Sequence, residues 1–264
     1  MDVKAVKERR KQFADKFKRN TDIWKAPKGT HDVRVVPYIN NSADPFEELW
    51  WHWNIGNRGF LCLKKNKGED CPICNMASEM WKSEEDEDKE IAKKMFANVR
   101  FYAPVLPRDA EEEGVKWWGL SQTLYDALTS EVLLDQVGDY TDIEAGRDIA
   151  VTFKTKEETG NDYGKVSVDV KFTTSPLSED KEVVAKSLKE QPSLIEMYPY
   201  NTADELTEVL RKWLFPEDAE EEAASKPAAK SAPKEKVESL KTESEDDSAG
   251  TDESLENKFK KLLD

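Results

Sequence analysis

Short β-prone runs recur along residues 24–174 with a single helical stretch among them. They predict a mainly β fold with α-helices, built as a small closed or partly open barrel. Two further observations support this. Residues 149–154 and 166–172 both alternate apolar and polar side chains, and the turn-rich segment 159–164 lies between them, so they predict a hairpin with a long loop. Beyond residue 174 the apolar spacing changes to a helical period.

The elements follow in order. Residues 1–20 read as a basic amphipathic helix, with Val3, Val6, Phe13 and Phe17 near helical spacing among Lys7, Arg9, Arg10 and Lys11. We take 1–23 as an N-terminal arm. Residues 33–36, 60–63, 99–102 and 115–119 predict strands, and Trp50, Trp51 and Trp53 lie on another. Residues 120–134 predict a helix with Leu120, Leu124, Ala127, Leu128 and Leu134 on one side. Residues 181–189 predict a second helix. A third opens at Thr202 with Glu205 three residues on, a capping box, and turns Leu206, Val209, Leu210 and Trp213 inward before Pro216. The globular core is thus 24–215. Segment 216–264 is rich in Ala, Ser, Lys, Pro and acidic residues, with no aromatic before Phe259, which predicts a disordered acidic tail. Within its last stretch, 254–264, Leu255, Phe259, Leu262 and Leu263 recur at helical spacing. That pattern fits an amphipathic docking peptide for a partner protein, or a weak helix folding back on its own domain.

Charge is segregated along the chain. The net charge is -15, which at first sight argues against a polyanionic ligand. Yet residues 1–28 carry about +6, residues 216–264 about -7 and the middle about -14. The acidic runs 84–88 and 111–113 read as solvated loops. No apolar run approaches the ~20 residues that span a bilayer, and the N-terminus has no apolar signal core, so the expectation is a cytoplasmic chain without a membrane partner. A nucleophile motif, a P-loop and a His-Glu-x-x-His zinc motif are all missing from the sequence, and its carboxylates have no acid–base spacing, which predicts a non-enzyme.

His52, Cys62, Cys71 and Cys74 carry the sharpest signal. All three cysteines and one of the two histidines fall close together, and Cys71-Pro72-Ile73-Cys74 forms a knuckle whose two sulfurs can reach one ion. Three thiolates and one imidazole are the ligands of a closed, tetrahedral structural zinc site, so one structural Zn2+ is expected. His31 is the alternative imidazole, with a loop contact as its more ordinary role. The clustered, odd cysteine count argues against disulfides. The metal stretch is also rich in aromatic residues. Trp24, Trp81 and Trp213 read as core. Neither Trp50, Trp51 and Trp53 nor the pair Trp117 and Trp118 can all point into one core layer, so some of these rings should face a groove. Rings beside cations are how sequence-tolerant single-strand binding works. Candidate cations are Arg34, Arg58, Lys64, Lys65, Lys67, Lys93, Lys94 and Arg100.

The basic arm, the metal-bearing β-rich core, the helices and the acidic tail together resemble the single-stranded-DNA-binding proteins of T-even-type bacteriophages. The most specific element is the His52/Cys62/Cys71/Cys74 set. The runs 33–37, 96–99, Lys116-Trp117 and Asn161-Asp162-Tyr163 are similar as well. The resemblance implies an OB-fold core that coats single-stranded DNA without sequence preference. It implies an arm (Lys7, Arg9, Arg10, Lys11) that docks on the neighbouring protomer, and a tail that contacts replication and recombination proteins. It points to Phe96, Phe101, Trp117 and Tyr163 as stacking residues and to Arg34, Lys93, Lys94 and Arg100 as phosphate contacts. The residues alone also admit a zinc-stabilised protein–protein adaptor and an RNA-binding regulator.

Overall fold

The computed structural model describes residues 22–41, 43–56, 58–134, 137–216 and 259. The expectations for Lys7, Arg9, Arg10, Lys11, Leu255, Leu262 and Leu263 lie outside the described residues. The elements in chain order are β1 (Ile23–Trp24), β2 (Gly29–Val35), β3 (Glu47–Ile55), β4 (Arg58–Leu61), α1 (Leu63–Lys67), α2 (Pro72–Trp81), α3 (Asp86–Met95), β5 (Asn98–Pro107), β6 (Lys116–Leu120), α4 (Gln122–Val132), β7 (Gly146–Lys154), α5 (Lys156–Thr159), β8 (Lys165–Ser175), α6 (Lys181–Lys189), α7 (Leu194–Met197) and α8 (Ala203–Leu214). They form two compact units. The first holds the described residues up to Leu49 together with Val99–Pro199. The second holds Trp50–Asn98 and the described residues from Tyr200 onward.

The first unit is the sheet-rich core that the sequence predicts. Its strands run in the order β1-β6-β5-β2-β7-β8. The β1–β6 pairing is parallel, with Ile23 beside Trp117, and the others are antiparallel. The β7–β8 hairpin sets Val151 opposite Val168. Inward residues of β2, β5, β6 and β7, among them Val33, Val35, Val105, Leu120, Ile149 and Val151, form the core with Leu128 of α4. Ser121 caps α4 by accepting from the Leu124 backbone N–H, which is how a serine satisfies an orphan donor at a helix start. The helix ends at Val132, so Leu134 stands exposed instead of continuing the inward face.

A buried charge holds one end of this sheet. Arg34 of β2 is fully buried between Val33 and Val35, contrary to its expected role on phosphate. Its Nε donates to Asp148 Oδ1 at 3.0 Å, and its guanidinium donates to the Ser175 carbonyl at 2.9 and 3.0 Å. Arg108 donates to the same carboxylate oxygen at 2.9 Å and pairs with Glu111 at 2.7 Å. Glu111 therefore leaves the solvated run in which the sequence placed it. Gly146 makes the room: a Cβ there would meet Arg34 Nη1 at 2.7 Å and the Asp142 carbonyl at 2.3 Å. Burial pulls the Arg34 guanidinium below its ordinary value, and Asp148 pulls it back up. A buried ion that loses its counter-ion costs far more than the pair itself contributes. Asp148→Ala should therefore lower stability by about 3–5 kcal/mol in denaturant melts. Breaking the exposed Lys116–Glu113 pair with Glu113→Ala should change it by less than about 1 kcal/mol.

The second unit begins with the β3–β4 hairpin, where Trp51 faces Leu61 and His52 faces Phe60. The pairing becomes irregular between His52 and Ile55, and the turn runs through Asn54 and Gly56, both at positive φ. Helices α2 and α3 pack together, and α8 packs on α2. The acidic run 84–88 is not a loop throughout. Asp86, Glu87 and Asp88 form the first turn of α3, where negative charge complements the helix dipole. The capping box at Thr202 and Glu205 opens α8 as expected. Its Leu206 and Leu210 join Ile73, Met76, Met80, Met95, Phe215 and Phe259 in one core.

Candidate metal centre and nucleic-acid interface

Three local structures bring the four ligands of the second unit together. His52 comes from β3. Cys62 follows β4 and caps α1, with its Sγ accepting from the Lys65 backbone N–H at 3.3 Å. Cys71 caps α2, Pro72 takes the first helical position and Cys74 sits in the first turn. Proline there forfeits a hydrogen bond that the helix start lacks anyway. The ligand atoms all lie within 4.8 Å of one another. His52 Nε2 is 3.4 Å from Cys71 Sγ and 3.7 Å from Cys74 Sγ, and Cys62 Sγ is 3.4 Å from Cys74 Sγ. A tetrahedral zinc with bonds of about 2.3 Å to sulfur and 2.0 Å to nitrogen needs edges of about 3.5–3.8 Å. The donor set and its spacing therefore fit one metal ion. His31 takes no part: its ring bonds to Asp109 at 3.0 Å and to the Lys28 carbonyl at 3.3 Å, the loop contact expected of it.

The surroundings orient the ligands. His52 Nδ1 lies 2.6 Å from the Met95 carbonyl and donates to it, which turns Nε2 toward the sulfurs. Burial works against charge on His52, but Cys62, Cys71 and the Met95 carbonyl outweigh it and push its value up to about 9. Hydrogen bonds from Cys62 and Cys74 hold the Cys71 thiol below its ordinary value, while Cys74 beside it is pushed up. Without metal, the sulfurs and the Met95 carbonyl thus favour charge on the His52 imidazole. In that metal-free fold the raised His52 contributes stability that is fully present below its ordinary value near 6.5 and is lost as pH rises through about 9. A bound metal reverses this dependence, because it needs neutral imidazole and ionised thiols.

Removing the metal with a chelator at neutral pH should lower the melting temperature and expose thiols to a titrating reagent. An unchanged melt would show that the four residues are ordinary core. Acid should act like the chelator, with metal release to an indicator dye rising as pH falls.

The predicted nucleic-acid contacts separate into exposed and buried groups. Trp117 is buried, donates from its indole N–H to the Pro192 carbonyl at 2.7 Å and meets Tyr38 edge-on at 5.2 Å. Trp118 is buried against Trp24 at 5.5 Å. This corrects the expectation that one of the pair faces a groove. They lie on opposite sides of β6, and each side has its own cover. Trp117 and Arg34 are therefore structural, with no surface to offer a base or a phosphate.

Exposed or half-buried candidates remain in each unit. In the first unit, Phe101 of β5 stacks on Tyr125 of α4, with ring centroids 3.8 Å apart and planes 7° apart, and Phe46 meets Tyr125 edge-on at 5.2 Å. Arg100, next to Phe101, is exposed, and its guanidinium reaches the Gly119 carbonyl at 3.3 Å. Tyr163 is 96% exposed on the β7–β8 loop, between Asn161 and Gly164. In the second unit, Phe96 is 38% exposed at the end of α3 and meets Trp81, 47% exposed, at 5.7 Å. Lys93 and Lys94 are exposed in the last turn of the same helix. Three other candidate cations lie over rings: Arg58 on Phe60, Lys65 on Trp50 and Lys67 on Tyr200. Tyr125, Phe46 and Trp81 were not singled out from the sequence as interface residues. Trp81 reads as core because tryptophan is highly buried on average. Tyr125 follows Leu124 on a helix whose leucines alone draw the eye.

A search of curated proteins returns no match to the chain. A family model described as gp32 DNA binding protein like matches residues 28–214, from the start of the β2 region to the end of α8. That is well over half of the sequence and takes in both the sheet-rich core and the metal cluster. The chain belongs to the gp32 DNA binding protein like family.

Proposed function

We propose that this protein is a non-enzymatic single-stranded-DNA-binding protein that coats DNA cooperatively and without sequence preference. It would act in phage replication, recombination and repair in the host-cell cytoplasm. One structural zinc at His52, Cys62, Cys71 and Cys74 would hold the second unit in shape. The arm of residues 1–23 would dock on a neighbouring protomer, and the acidic tail would recruit replication and recombination proteins. Membership in a DNA-binding family supports the class of ligand. Among the described residues, no helix is long and apolar enough to cross a membrane.

The observation that carries the single-strand reading is the half-buried Phe101–Tyr125 stack. A ring face takes any base, because every base has a π-face, and exposed cations elsewhere on the surface can take the phosphates. Phe96 with Trp81, next to Lys93 and Lys94, repeats that chemistry in the second unit. Tyr163 would add a ring from its exposed loop.

Titrating intrinsic tryptophan fluorescence with oligo-dT tests the reading. Affinity should fall steeply as salt rises, with a log–log slope of about -0.7 for each phosphate neutralised on a single strand. Phe101→Ala and Tyr125→Ala should each weaken binding by about 1–3 kcal/mol for every base composition. Trp117→Ala should instead lower the melting temperature, with binding loss only in proportion to unfolded chain. Salt-independent or absent binding would refute the reading and favour a protein-binding adaptor.

A further inference from the structure

Phe259 is the only aromatic residue in 216–264, and it is the natural anchor for any protein that reads the end of the chain. It is not presented to solvent. Its side chain is 5% exposed, and its ring meets Phe215 edge-on with centroids 5.8 Å apart. Phe215 is 8% exposed and stands directly after α8. Both rings belong to the second unit's core, with Leu206 and Leu210 buried among them and Trp213 and Leu214 packed alongside. An aromatic anchor carried between Lys258 and Lys260 at the end of a polar, acidic stretch has therefore been taken into an apolar site on its own protein.

We propose that Phe215 and the end of α8 form a peptide-docking seat whose resident occupant is the chain's own C-terminal segment, inserted through Phe259. A protein partner of that segment then has to draw Phe259 out of the seat. One ring is a small anchor, so it exchanges, and the covalent link to α8 through residues 216–258 makes its return an intramolecular event with a high effective concentration. The seat thereby lowers the tail's apparent affinity for partners by the fraction of time Phe259 is withdrawn. The contact shown joins two phenylalanine rings, so the device works through apolar burial. The inference does not depend on which polymer the protein binds, or on which protein reads the tail.

The test uses the full-length protein and a fluorescently labelled synthetic peptide of residues 251–264, followed by anisotropy. The unaltered chain should bind the peptide weakly, because its own Phe259 fills the seat. Phe259→Ala in the full chain should tighten binding at least about tenfold. Adding Phe215→Ala to that variant should abolish the gain, as should a peptide carrying Phe259→Ala. Phe215→Leu, which keeps most of the apolar volume, guards against a folding defect and should give an intermediate loss. Equal peptide binding by the unaltered and Phe259→Ala chains, or binding indifferent to Phe215, would overturn the proposal. A concentration-dependent dimer of the unaltered chain in sedimentation, broken by Phe259→Ala, would also overturn it, because the seat would then hold the tail of a second copy.

Discussion

The convergence of three sulfurs and one imidazole within 4.8 Å is the constraint on which the second unit depends. That unit has one short hairpin, three short or medium helices from the first half of the chain and α8 from further on. Small units with few regular elements often rely on metal or disulfide staples beside their apolar burial. Two of the ligands also stand at the starts of helices. Cys62 closes β4 and caps α1, and Cys71 closes a loop and caps α2. Fixing the four side chains on one ion therefore fixes the hairpin against both helix starts, and the apolar residues Ile73, Met76 and Met95 fill in around them.

The first unit solves a different problem, that of a positive charge inside a sheet. Arg34 stands on the face of β2 opposite Val33 and Val35, where Asp148 and the Ser175 carbonyl accept from it and Arg108 shares the Asp148 carboxylate. This has a consequence for the surface. The overall charge is -15, and the cation with the most strand-like context is not available to a polyanion. On the reading proposed above, Arg100, Lys93 and Lys94 would supply phosphate contacts among the described residues, and ring stacking, which has no base preference, would carry a larger share of the affinity.

The sequence was most legible where residue chemistry is demanding. The His52, Cys62, Cys71 and Cys74 spacing needed no fold to be read as one site. The capping box at Thr202 and the alternation in 149–154 and 166–172 mark elements found in place. Helices α2 and α3 were missed for a physical reason. An acidic run looks solvated in sequence, yet acids belong at a helix start, and that preference is only visible once the helix is known. Burial was the other blind spot. Whether Trp117 or Trp81 faces solvent depends on what covers each side of β6 and of α2, and that cover comes from residues distant in the chain, such as Pro192 for Trp117. Phe101 could be named from its strand, but its partner Tyr125 could not, because their contact joins β5 to α4 across the fold.

The metal cluster and the exposed rings of the second unit are joined by one residue. Met95 gives its carbonyl to His52 Nδ1 at 2.6 Å and buries its side chain in the core. Phe96 follows it directly and turns outward toward Trp81. The His52 ring can hold its Nε2 on a metal only while its Nδ1 keeps that carbonyl, so the ligand sphere and the last turn of α3 are positioned together. A ring at the end of a helix is otherwise free to swing, and a stacking surface that swings loses affinity to the entropy of ordering it. Anchoring the preceding carbonyl to a metal ligand removes much of that freedom before any base arrives. On the reading proposed above, a metal held there would influence nucleotide binding without touching the nucleotide, by keeping Phe96 in place with Lys93 and Lys94 on the turn before it.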